Sequence, residues 1–382
     1  GSMLTDEQEA LRETVATFAR EKVAPVIADY YANHTFPYEI VAAMGEMGLF
    51  GLPFPTEYGG MGGDLLTLGL AIEELARVDS SVAITLEAAV CLGAMPIYRY
   101  GTPEQKATWL PRLVSGQALA AFGLTEPDAG SDAAGLRTRA VLDEATNEWV
   151  INGTKSFITN SGTDITALVT VAAVTGEQDG RPEISTIIVP IDTPGVTVAP
   201  SYDKVGWCAS DTHELSFVDV RVPAENLLGE RGKGLAQFLS ILDEGRVAIA
   251  ALATGLAQGC VDESVAYAKR RIAFGRPIGS FQAIAFMIAD MQARTHVARL
   301  AWRDAAARAV RGLDFTSAAA IAKLTASETA VANARAATQI HGGYGFMTET
   351  PVARFWRDAK ILEIGEGTSE VQRLIIARDL GL

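Results

Sequence analysis

The stretch Val150-Ile-Asn-Gly-Thr-Lys-Ser-Phe-Ile158 marks the part of the chain that departs from a helical pattern. Its apolar pairs flank Asn152-Gly153, a dipeptide typical of the tight turn in a β-hairpin. Further β-rich segments follow at residues 167–173, 184–189, 196–198 and 215–222. No helices alternate regularly with them, as a doubly wound dinucleotide-binding fold would require. The pattern predicts a small, mostly antiparallel β domain over residues 121–230.

The residues before this block are predicted to be helical. Thr5 and Gln8 fit a capping box, and apolar residues then recur at helical spacing. A loop rich in Gly and Pro occupies residues 51–63, and helical spacing resumes at residues 65–75. Pro103 falls in the first turn of a further helix. We therefore expect an N-terminal α-helical domain over residues 3–120.

The residues after the β block are rich in Ala and again helical in pattern. Predicted helices cover residues 234–271, 281–311, 316–340 and 369–380. Four helices of this kind indicate a C-terminal four-helix bundle over residues 231–382. The predicted fold class is α+β, with helical, β and helical domains in that order.

Length and composition limit the classes of protein that the chain can be. It has 382 residues, of which 48% are hydrophobic and 20% charged, and its net charge is −14. This length suggests two or three domains with a core that needs no disulfides. The acidic balance argues against nucleic-acid binding. The three cysteines are far apart and form no CxxC pair, which favours a reducing compartment.

The sequence gives no expectation of a membrane span or a targeting segment. No stretch approaches the roughly 18 uninterrupted apolar residues of a span, and the best run, residues 247–257, includes Thr254 and Gly255. Gly1-Ser2 before Met3 is interpreted as a cloning remnant, and no secretory or transit pattern follows.

Common catalytic and metal-binding motifs are absent from the sequence. It contains no Walker A, GxGxxG, HExxH or GxSxG pattern. No two of the four histidines have metal-ligand spacing, so no metal site is expected. Each histidine is interpreted as a surface or packing residue, although His341 adjoins Gly342-Gly343.

Two stretches at the β block are rich in residues that can contact a ligand. Phe122-Gly-Leu-Thr-Glu-Pro-Asp-Ala-Gly-Ser-Asp132 combines hydroxyls, small residues and backbone N–H groups. It suits the edge of a heterocycle or a thioester, and equally a polar turn. Phe157 and Thr159, two apart on a strand, are expected on one face. That pair suits a ring contact and a hydrogen bond, or simply a half-buried strand.

Two further regions lie in the C-terminal helical block. In the stretch from Arg270 to Gln282, a guanidinium and an amide at helix ends suit a pyrophosphate, or alternatively cap the helix. The glycines of Gln339-Ile-His-Gly-Gly-Tyr-Gly-Phe346 let backbone approach a ligand closely. Glu366 lies between two glycines in a loop expected to be mobile, before a helix that we expect Ser369 and Gln372 to cap. It suits either a carboxylate aimed at a substrate or a helix-entry residue.

In order and spacing, these stretches resemble the acyl-CoA dehydrogenase family of flavoenzymes. The resemblance covers essentially the whole chain. Its motifs are Leu-Thr-Glu-Pro-Asp-Ala-Gly-Ser-Asp (124–132), Arg-Ile-Ala-Phe-Gly-Arg (271–276), Gln-Ile-His-Gly-Gly-Tyr-Gly (339–345), Arg-Asp-Ala-Lys (357–360) and Glu-Gly-Thr-Ser-Glu (366–370).

The resemblance implies FAD-dependent α,β-dehydrogenation of an acyl-CoA thioester to a trans-2-enoyl-CoA. Glu366 is then the catalytic base that takes the α-proton, and the β-hydride passes to flavin N5. Some relatives, including isovaleryl-CoA dehydrogenases, carry the base on an earlier helix directly before an Arg. Here Gly245 precedes Arg246, so that position is empty, and the neighbouring Glu244 is interpreted as a decoy.

The resemblance also implies which residues line the site. The cofactor-binding residues are Phe122, Leu124, Thr125, Ser131, Phe157, Thr159, Arg271, Phe274, Gln282, Gln339, Gly343, Thr368 and Glu370. The substrate-binding residues are Ser131, Asp243, Arg246 and Gly367. Among the cofactor residues, five are expected to reach FAD in a neighbouring subunit: Arg271, Phe274, Gln282, Gln339 and Gly343.

The implied partners are the acyl-CoA substrate, electron-transfer flavoprotein and further copies of the chain in a homotetramer. The expected location is cytoplasmic for a bacterial source and the mitochondrial matrix for a eukaryotic one. Phe157 stands where many relatives have Trp, Asp128 where Gly is common, and Gly365 where many have Tyr. Losing the ring at position 365 should enlarge or reshape the acyl pocket.

Other functions on this fold remain as alternatives. An acyl-CoA oxidase is usually much longer, a nitroalkane oxidase uses Asp as its base, and a flavin monooxygenase of this fold usually lacks the base. A DNA-associated protein of the same fold is disfavoured by the net charge of −14. The sequence leaves the acyl chain, the pathway and the physiological electron acceptor open.

Overall fold

The computed structural model describes residues 3–382, so the proposed cloning remnant Gly1-Ser2 lies outside the described residues. The N-terminal part is helical, as predicted. Its helices are α1 (Asp6–Phe18), α2 (Ile27–Ala32), α3 (Tyr38–Glu46), α4 (Leu65–Ala76), α5 (Ser80–Glu87), α6 (Met95–Tyr100) and α7 (Pro103–Val114). Thr5 and Thr102 both form capping boxes, with Gln8 and Gln105 respectively, because each threonine and glutamine satisfies the other's backbone N–H.

The central part forms one mixed sheet. Its strands are β1 (Leu119–Gly123), β2 (Arg139–Asp143), β3 (Glu148–Thr159), β4 (Thr166–Gln178), β5 (Arg181–Pro190), β6 (Val196–Val198), β7 (Thr212–Pro223) and β8 (Leu227–Leu228). They lie in the order β6-β7-β3-β2-β4-β5-β8, and β1 pairs with β4. Only the pairs of β4 with β1 and β2 are parallel, so the sheet is mostly antiparallel, as predicted.

The hairpin predicted at Asn152-Gly153 is wrong. β3 runs without a turn from Glu148 to Thr159 and pairs along its length with β7. The register shifts between Ile151 and Gly153, and a Cβ on Gly153 would lie 2.3 Å from Oγ1 of Thr138. The glycine is required here by a close approach within a bulged strand rather than by a turn.

The C-terminal part contains α8 (Gly234–Arg270), α9 (Gln282–Val310), α10 (Thr316–His341), α11 (Pro351–Ala359) and α12 (Ser369–Asp379). Helices α8, α9 and α10 pack on one another, and α12 packs on α10. The four predicted helices are confirmed to within one residue at each end, whereas α11 was not predicted. A two-stranded ribbon, β9 (Ile272–Ala273) and β10 (Arg276–Pro277), joins α8 to α9.

The N-terminal and C-terminal helices share one hydrophobic core. Helix α4 packs on α8 and α9, and a Cβ on Gly69 would lie 2.5 Å from the ring of Trp302. The indole Nε1 of Trp302 donates to Glu73 at 3.1 Å. Helix α8 also packs on β4 and β5, so it connects all three parts of the chain.

One apolar segment was overlooked in the sequence. By length and composition, the helical run Ser80–Tyr100 qualifies as a candidate membrane span, although the sequence analysis gave residues 247–257 as the best apolar run. The polar residues Ser80, Ser81, Thr85 and Glu87 interrupt its apolar pattern. Of its most apolar window, 94% is buried inside the protein, as in a core helix.

Candidate active site

Glu366 lies in the turn that precedes α12, with its side chain directed into the protein. Its φ is +55°, in the left-handed region that non-glycine residues seldom adopt, and the next residue, Gly367, has φ +93°. The carboxyl group contacts α8, because a Cβ on Gly245 would lie 2.5 Å from Oε2 of Glu366. The helix is capped by Thr368, whose Oγ1 accepts from the N–H of Val371 at 3.2 Å.

Two expectations about this loop change. Ser369 is already the first helical residue of α12, so it does not have the extended conformation of an N-cap; Thr368 does. The loop is also held by internal bonds. Nζ of Lys323 donates to the carbonyls of Leu362 and Gly367, both at 2.7 Å, and Nε2 of Gln372 donates to Gly367 at 3.0 Å.

Lys323 was missed in the sequence, although it stands alone in the Ala-rich start of α10. Its side chain is fully buried. Burial lowers the pKa of Lys323 to about 8, while the charge of Glu366 favours the protonated amine. Lys323 therefore fixes the backbone on both sides of Glu366 and places a cation near its carboxylate.

The Glu366 carboxyl is in a setting that makes it a stronger base than an exposed one. Burial is the main cause that raises its pKa, while a hydrogen bond with Glu87 and the charges of Lys323 and Arg246 act in the opposite direction. The net pKa shift is upward. A general base that works near neutrality needs such a shift.

The neighbouring acids on α8 have other partners. Glu244 forms an ion pair with Arg99. Asp243 accepts from Arg246 at 2.7 Å and from Oγ1 of Thr316 at 3.0 Å. The Arg246 side chain is itself buried, beside Gly367. Asp243 and Arg246 thus lie beside the Glu366 loop, whereas Glu244 is directed to a different partner.

The stretch at residues 122–132, which was predicted to contact a ligand, packs against α8. The ring centroids of Phe122 and Phe238 are 4.4 Å apart, and Leu124 packs in the same cluster as Leu242. Leu242 lies about one helical turn before Gly245, the residue that the Glu366 carboxyl contacts. Thr125 accepts from the N–H of Ser156 at 2.8 Å through its carbonyl. Ser131 lies in an exposed bend.

A buried ion pair that the sequence did not reveal supports this stretch. Nζ of Lys155 donates to the carbonyl of Leu124 at 3.1 Å and to Glu126 at 2.7 Å. Glu126 also accepts from the N–H groups of Arg137 and Thr138, at 2.6 and 3.1 Å. The charges are satisfied locally, so the loop after β1 is fixed by bonds within the β domain.

Phe157 and Thr159 lie at the end of β3, where burial alternates. Phe157 is 66% exposed, Ile158 is buried, and Thr159 is half-buried. The backbone of Phe157 has φ +59°, and its ring lies 5.2 Å from that of Tyr202. An aromatic face is therefore presented to solvent beside the sheet.

The remaining predicted cofactor residues form a distal group at the far end of the C-terminal helices. Arg271 and Gly343 line a cavity of ≈ 550 Å³ with Tyr267 and His341, whose rings stack 4.2 Å apart. Phe274, in the ribbon, is 95% exposed. The exposed residues Gln282, at the start of α9, and Gln339, near the end of α10, belong to the same end of the bundle.

One chain does not bring the distal group to Glu366. Arg271 directly follows α8 and lies 26 positions after Gly245, which at 1.5 Å per residue separates them by about 39 Å. Thr368, the N-cap of α12, and Glu370, in its first turn, by contrast lie beside Glu366. The predicted residues therefore fall into two sites in each chain.

Three sequence models of one family match in succession and together cover nearly all of the chain. They are the acyl-CoA dehydrogenase N-terminal domain at residues 5–117, the middle domain at 121–220 and the C-terminal domain at 232–381. The chain belongs to the acyl-CoA dehydrogenase family. The resemblance stated from the motifs is confirmed, as is the fold class.

Individual relatives match over their full length. The chain is 52% identical to a probable acyl-CoA dehydrogenase, YngJ, of Bacillus subtilis, over 99% of this chain and 98% of that one. The butyryl-CoA dehydrogenase structure from Megasphaera elsdenii matches with a TM-score of 0.96 and 42% identity, covering 100% of both chains. A chain in a structure described as the electron transferring flavoprotein of Acidaminococcus fermentans matches with a TM-score of 0.95 and 41% identity, covering 100% of this chain and 99% of that one.

Proposed function

We propose that this member of the family dehydrogenates a short-chain acyl-CoA to the trans-2-enoyl-CoA, with Glu366 as the catalytic base. The observation that carries the assignment is the Glu366 carboxyl, which is buried, held against Gly245 and raised in pKa. Its Oε2 has no hydrogen-bond donor among residues 3–382. Burial of a carboxylate oxygen without a donor favours the neutral acid, which makes Glu366 a stronger base.

The α-proton of a thioester is a weak acid, so its removal needs both a base and stabilisation of charge on the carbonyl oxygen. The backbone N–H of Glu366 has no acceptor within the described part of the chain. Glu366 has a left-handed backbone conformation, and its N–H belongs to the same turn as its carboxyl group. In the proposal, the N–H binds the thioester oxygen while the carboxylate removes the proton from Cα.

The residues present fit FAD, the cofactor of this family. When bound, FAD supplies the acceptor for the β-hydride. Arg271 forms no salt bridge with any residue in the range 3–382, and it lines the distal cavity. A Cβ on Gly343 would meet nothing within 4 Å. An unpaired guanidinium beside open glycine backbone suits a pyrophosphate.

The assignment of individual cofactor residues is part of this proposal. Phe122, Leu124, Thr125, Ser131, Phe157 and Thr159 line the flavin from the β domain, with Thr368 and Glu370 beside them. Arg271, Phe274, Gln282, Gln339 and Gly343 hold the adenosine and pyrophosphate of a neighbouring subunit's FAD. The separation of about 39 Å within one chain supports this division. Ser131, Asp243, Arg246 and Gly367 contact the acyl-CoA.

The partners follow from the same assignment. A homotetramer completes each cofactor site, and the exposed Phe274 supports an intersubunit role for the ribbon. Electron-transfer flavoprotein reoxidises the enzyme, which is supported by the likeness to a chain in the Acidaminococcus structure. A short acyl chain is supported by the likeness to butyryl-CoA dehydrogenase. A cytoplasmic location in a bacterium remains part of the proposal.

An anaerobic titration of the purified holoenzyme with a panel of acyl-CoAs tests the reaction and the chain length together. We expect bleaching of the flavin absorbance by butyryl-CoA and weaker bleaching as the chain lengthens. Glu366→Gln should keep the flavin spectrum and lose the bleaching. A Glu366→Gln enzyme that is reduced at the wild-type rate would refute the assignment of the base.

A further inference from the structure

A second buried carboxyl group faces Glu366. Glu87 lies at the end of α5, within the apolar run Ser80–Tyr100, and is completely buried. A Cβ built on Gly245 would lie 2.5 Å from Oε2 of Glu366 and 3.7 Å from Oε1 of Glu87. The two carboxyl groups are within hydrogen-bonding reach of each other. Neither the motifs nor the family resemblance drew attention to Glu87.

No other group satisfies Glu87. Both of its oxygens are buried, and no donor from residues 3–382 reaches them. Cys91 is one turn further along, and Glu244 and Arg99 lie on the same side, but Arg99 is already paired with Glu244. An ionised carboxylate without donors in such a place is strongly unfavourable. A hydrogen bond to Glu366 is therefore the available way to satisfy Glu87.

Two carboxylates in contact and out of water cannot both be ionised, so the pair retains one proton near neutral pH. The surroundings decide where that proton resides. Glu366 faces the cations Lys323 and Arg246, which favour its charged form. Glu87 faces Glu366 and lies in a region with no unpaired cation in the described structure. The proton thus belongs on Glu87 and the negative charge on Glu366.

We propose that Glu87 is a positioning residue that stays protonated and donates its O–H to the carboxylate of Glu366. The proposal rests on the assignment of Glu366 as the base. The hydrogen bond holds one carboxylate oxygen and leaves the other free for the substrate. It also keeps the base ionised in a site whose burial favours the neutral acid.

The proton balance of the reaction fits this arrangement. Glu366 accepts the α-proton, and the electron pair of that C–H bond forms the Cα–Cβ double bond as the β-hydrogen leaves with its pair to the bound cofactor. The proton on Glu87 is not consumed. After the transfer both carboxyl groups are neutral, so the buried pair carries no charge.

Two substitutions of similar volume separate hydrogen bonding from packing. In Glu87→Gln, the amide N–H still donates to Glu366, whereas Glu87→Leu removes the donor. We expect the Gln variant to keep the wild-type pH profile of kcat/KM. In the Leu variant, the acidic limb should move upward by about 1 to 2 pH units, since a hydrogen bond to a charged group is lost.

The exposed Glu46, at the end of α3, provides a control, because Glu46→Gln removes a carboxyl far from these contacts. It should leave the profile unchanged. An unshifted limb in Glu87→Leu, or the same shift in Glu87→Gln as in Glu87→Leu, would overturn the proposal.

An infrared measurement tests the protonation state without relying on turnover or on the Leu variant folding. The difference spectrum of the resting wild-type holoenzyme minus Glu87→Gln at pH 7 should contain the C=O band of a protonated carboxylic acid. The Glu46→Gln difference should contain carboxylate bands and the bands of the introduced amide, but no band of a protonated acid. Carboxylate bands without the band of a protonated acid in the Glu87→Gln difference would refute the proposal. If instead the proposed dehydrogenation is wrong, no acyl-CoA bleaches the flavin in any variant, while the infrared result still stands.

Discussion

Oε2 of Glu366 occupies the space that a side chain at position 245 would need, since a Cβ built on Gly245 lies only 2.5 Å away. Position 245 is also where some members of the family carry the catalytic base. In this fold, the two positions therefore compete for one volume. A side chain at position 245 would displace the Glu366 carboxyl from the place it occupies in this chain, so the two residues have to be considered as a pair.

Replacing Gly245 with Ala should displace the Glu366 carboxyl, because the atom that it meets is the end of a flexible side chain. We expect the fold and the bound flavin to be retained, while the rate of flavin reduction by substrate falls by at least about tenfold, or about 1.4 kcal/mol in barrier. Stopped-flow absorbance measures this rate. Ser240→Ala on the exposed face of α8 is the matched control. An unchanged rate in Gly245→Ala would show that the contact does not position the base.

Lys323→Met should loosen the Glu366 loop, because the carbonyls of Leu362 and Gly367 lose a buried donor. We expect the free energy of unfolding to fall by about 1 to 3 kcal/mol and hydrogen exchange at residues 362–367 to accelerate. Lys360→Met is the control, since that lysine is exposed and forms only a surface ion pair with Glu363. Equal effects of the two substitutions in denaturant titrations would argue against the role given to Lys323.

The Glu87–Glu366 pair should make stability depend on pH. Burial raises the pKa of both groups in the folded state, so the folded protein binds more protons than the unfolded chain above the ordinary glutamate pKa of about 4.3. The contribution of the pair is therefore full below that pH and is lost as the pH rises through the raised pKa values. We expect Glu87→Gln to flatten the fall in melting temperature above about pH 5.

Other buried acids act in the same direction. Burial raises the pKa of Asp79 to about 7, for example. Only the difference between wild type and variant isolates the pair, and calorimetry over pH 5 to 8 measures it. Parallel curves for the two proteins would mean that the pair does not share a proton.

Phe274→Glu should prevent assembly of the proposed tetramer. The ring is 95% exposed in the single chain, and burial of such a ring at an interface is a large favourable contribution that a charge would abolish. We expect light scattering to report a smaller particle and the preparation to lose FAD. Met3→Glu, which alters an equally exposed apolar residue elsewhere, should leave both unchanged. A Phe274→Glu protein of wild-type mass and flavin content would exclude the ribbon from the interface.

Local signals in the sequence were sufficient for most of the helices. The capping box at Thr5, the helix start at Pro103 and the ends of α8, α9 and α10 depend on residues close in sequence, and their predictions agree with the structure. The hairpin prediction at Asn152-Gly153 was wrong because a turn dipeptide forms a hairpin only if the segments on its two sides pair with each other. Here both flanks pair with β7 instead.

The sequence by itself determined the family, the order of the three parts and the residue proposed as the base, because motifs and helical periodicity are properties of neighbouring residues. Only the tertiary structure showed that Glu87, Lys323 and Gly245 surround Glu366. Glu87 and Lys323 belong to none of the motifs in the sequence, and Gly245 was noted there only as the empty alternative position of the base. What a buried charge does is decided by the groups that face it across the core, and those groups are far away in sequence.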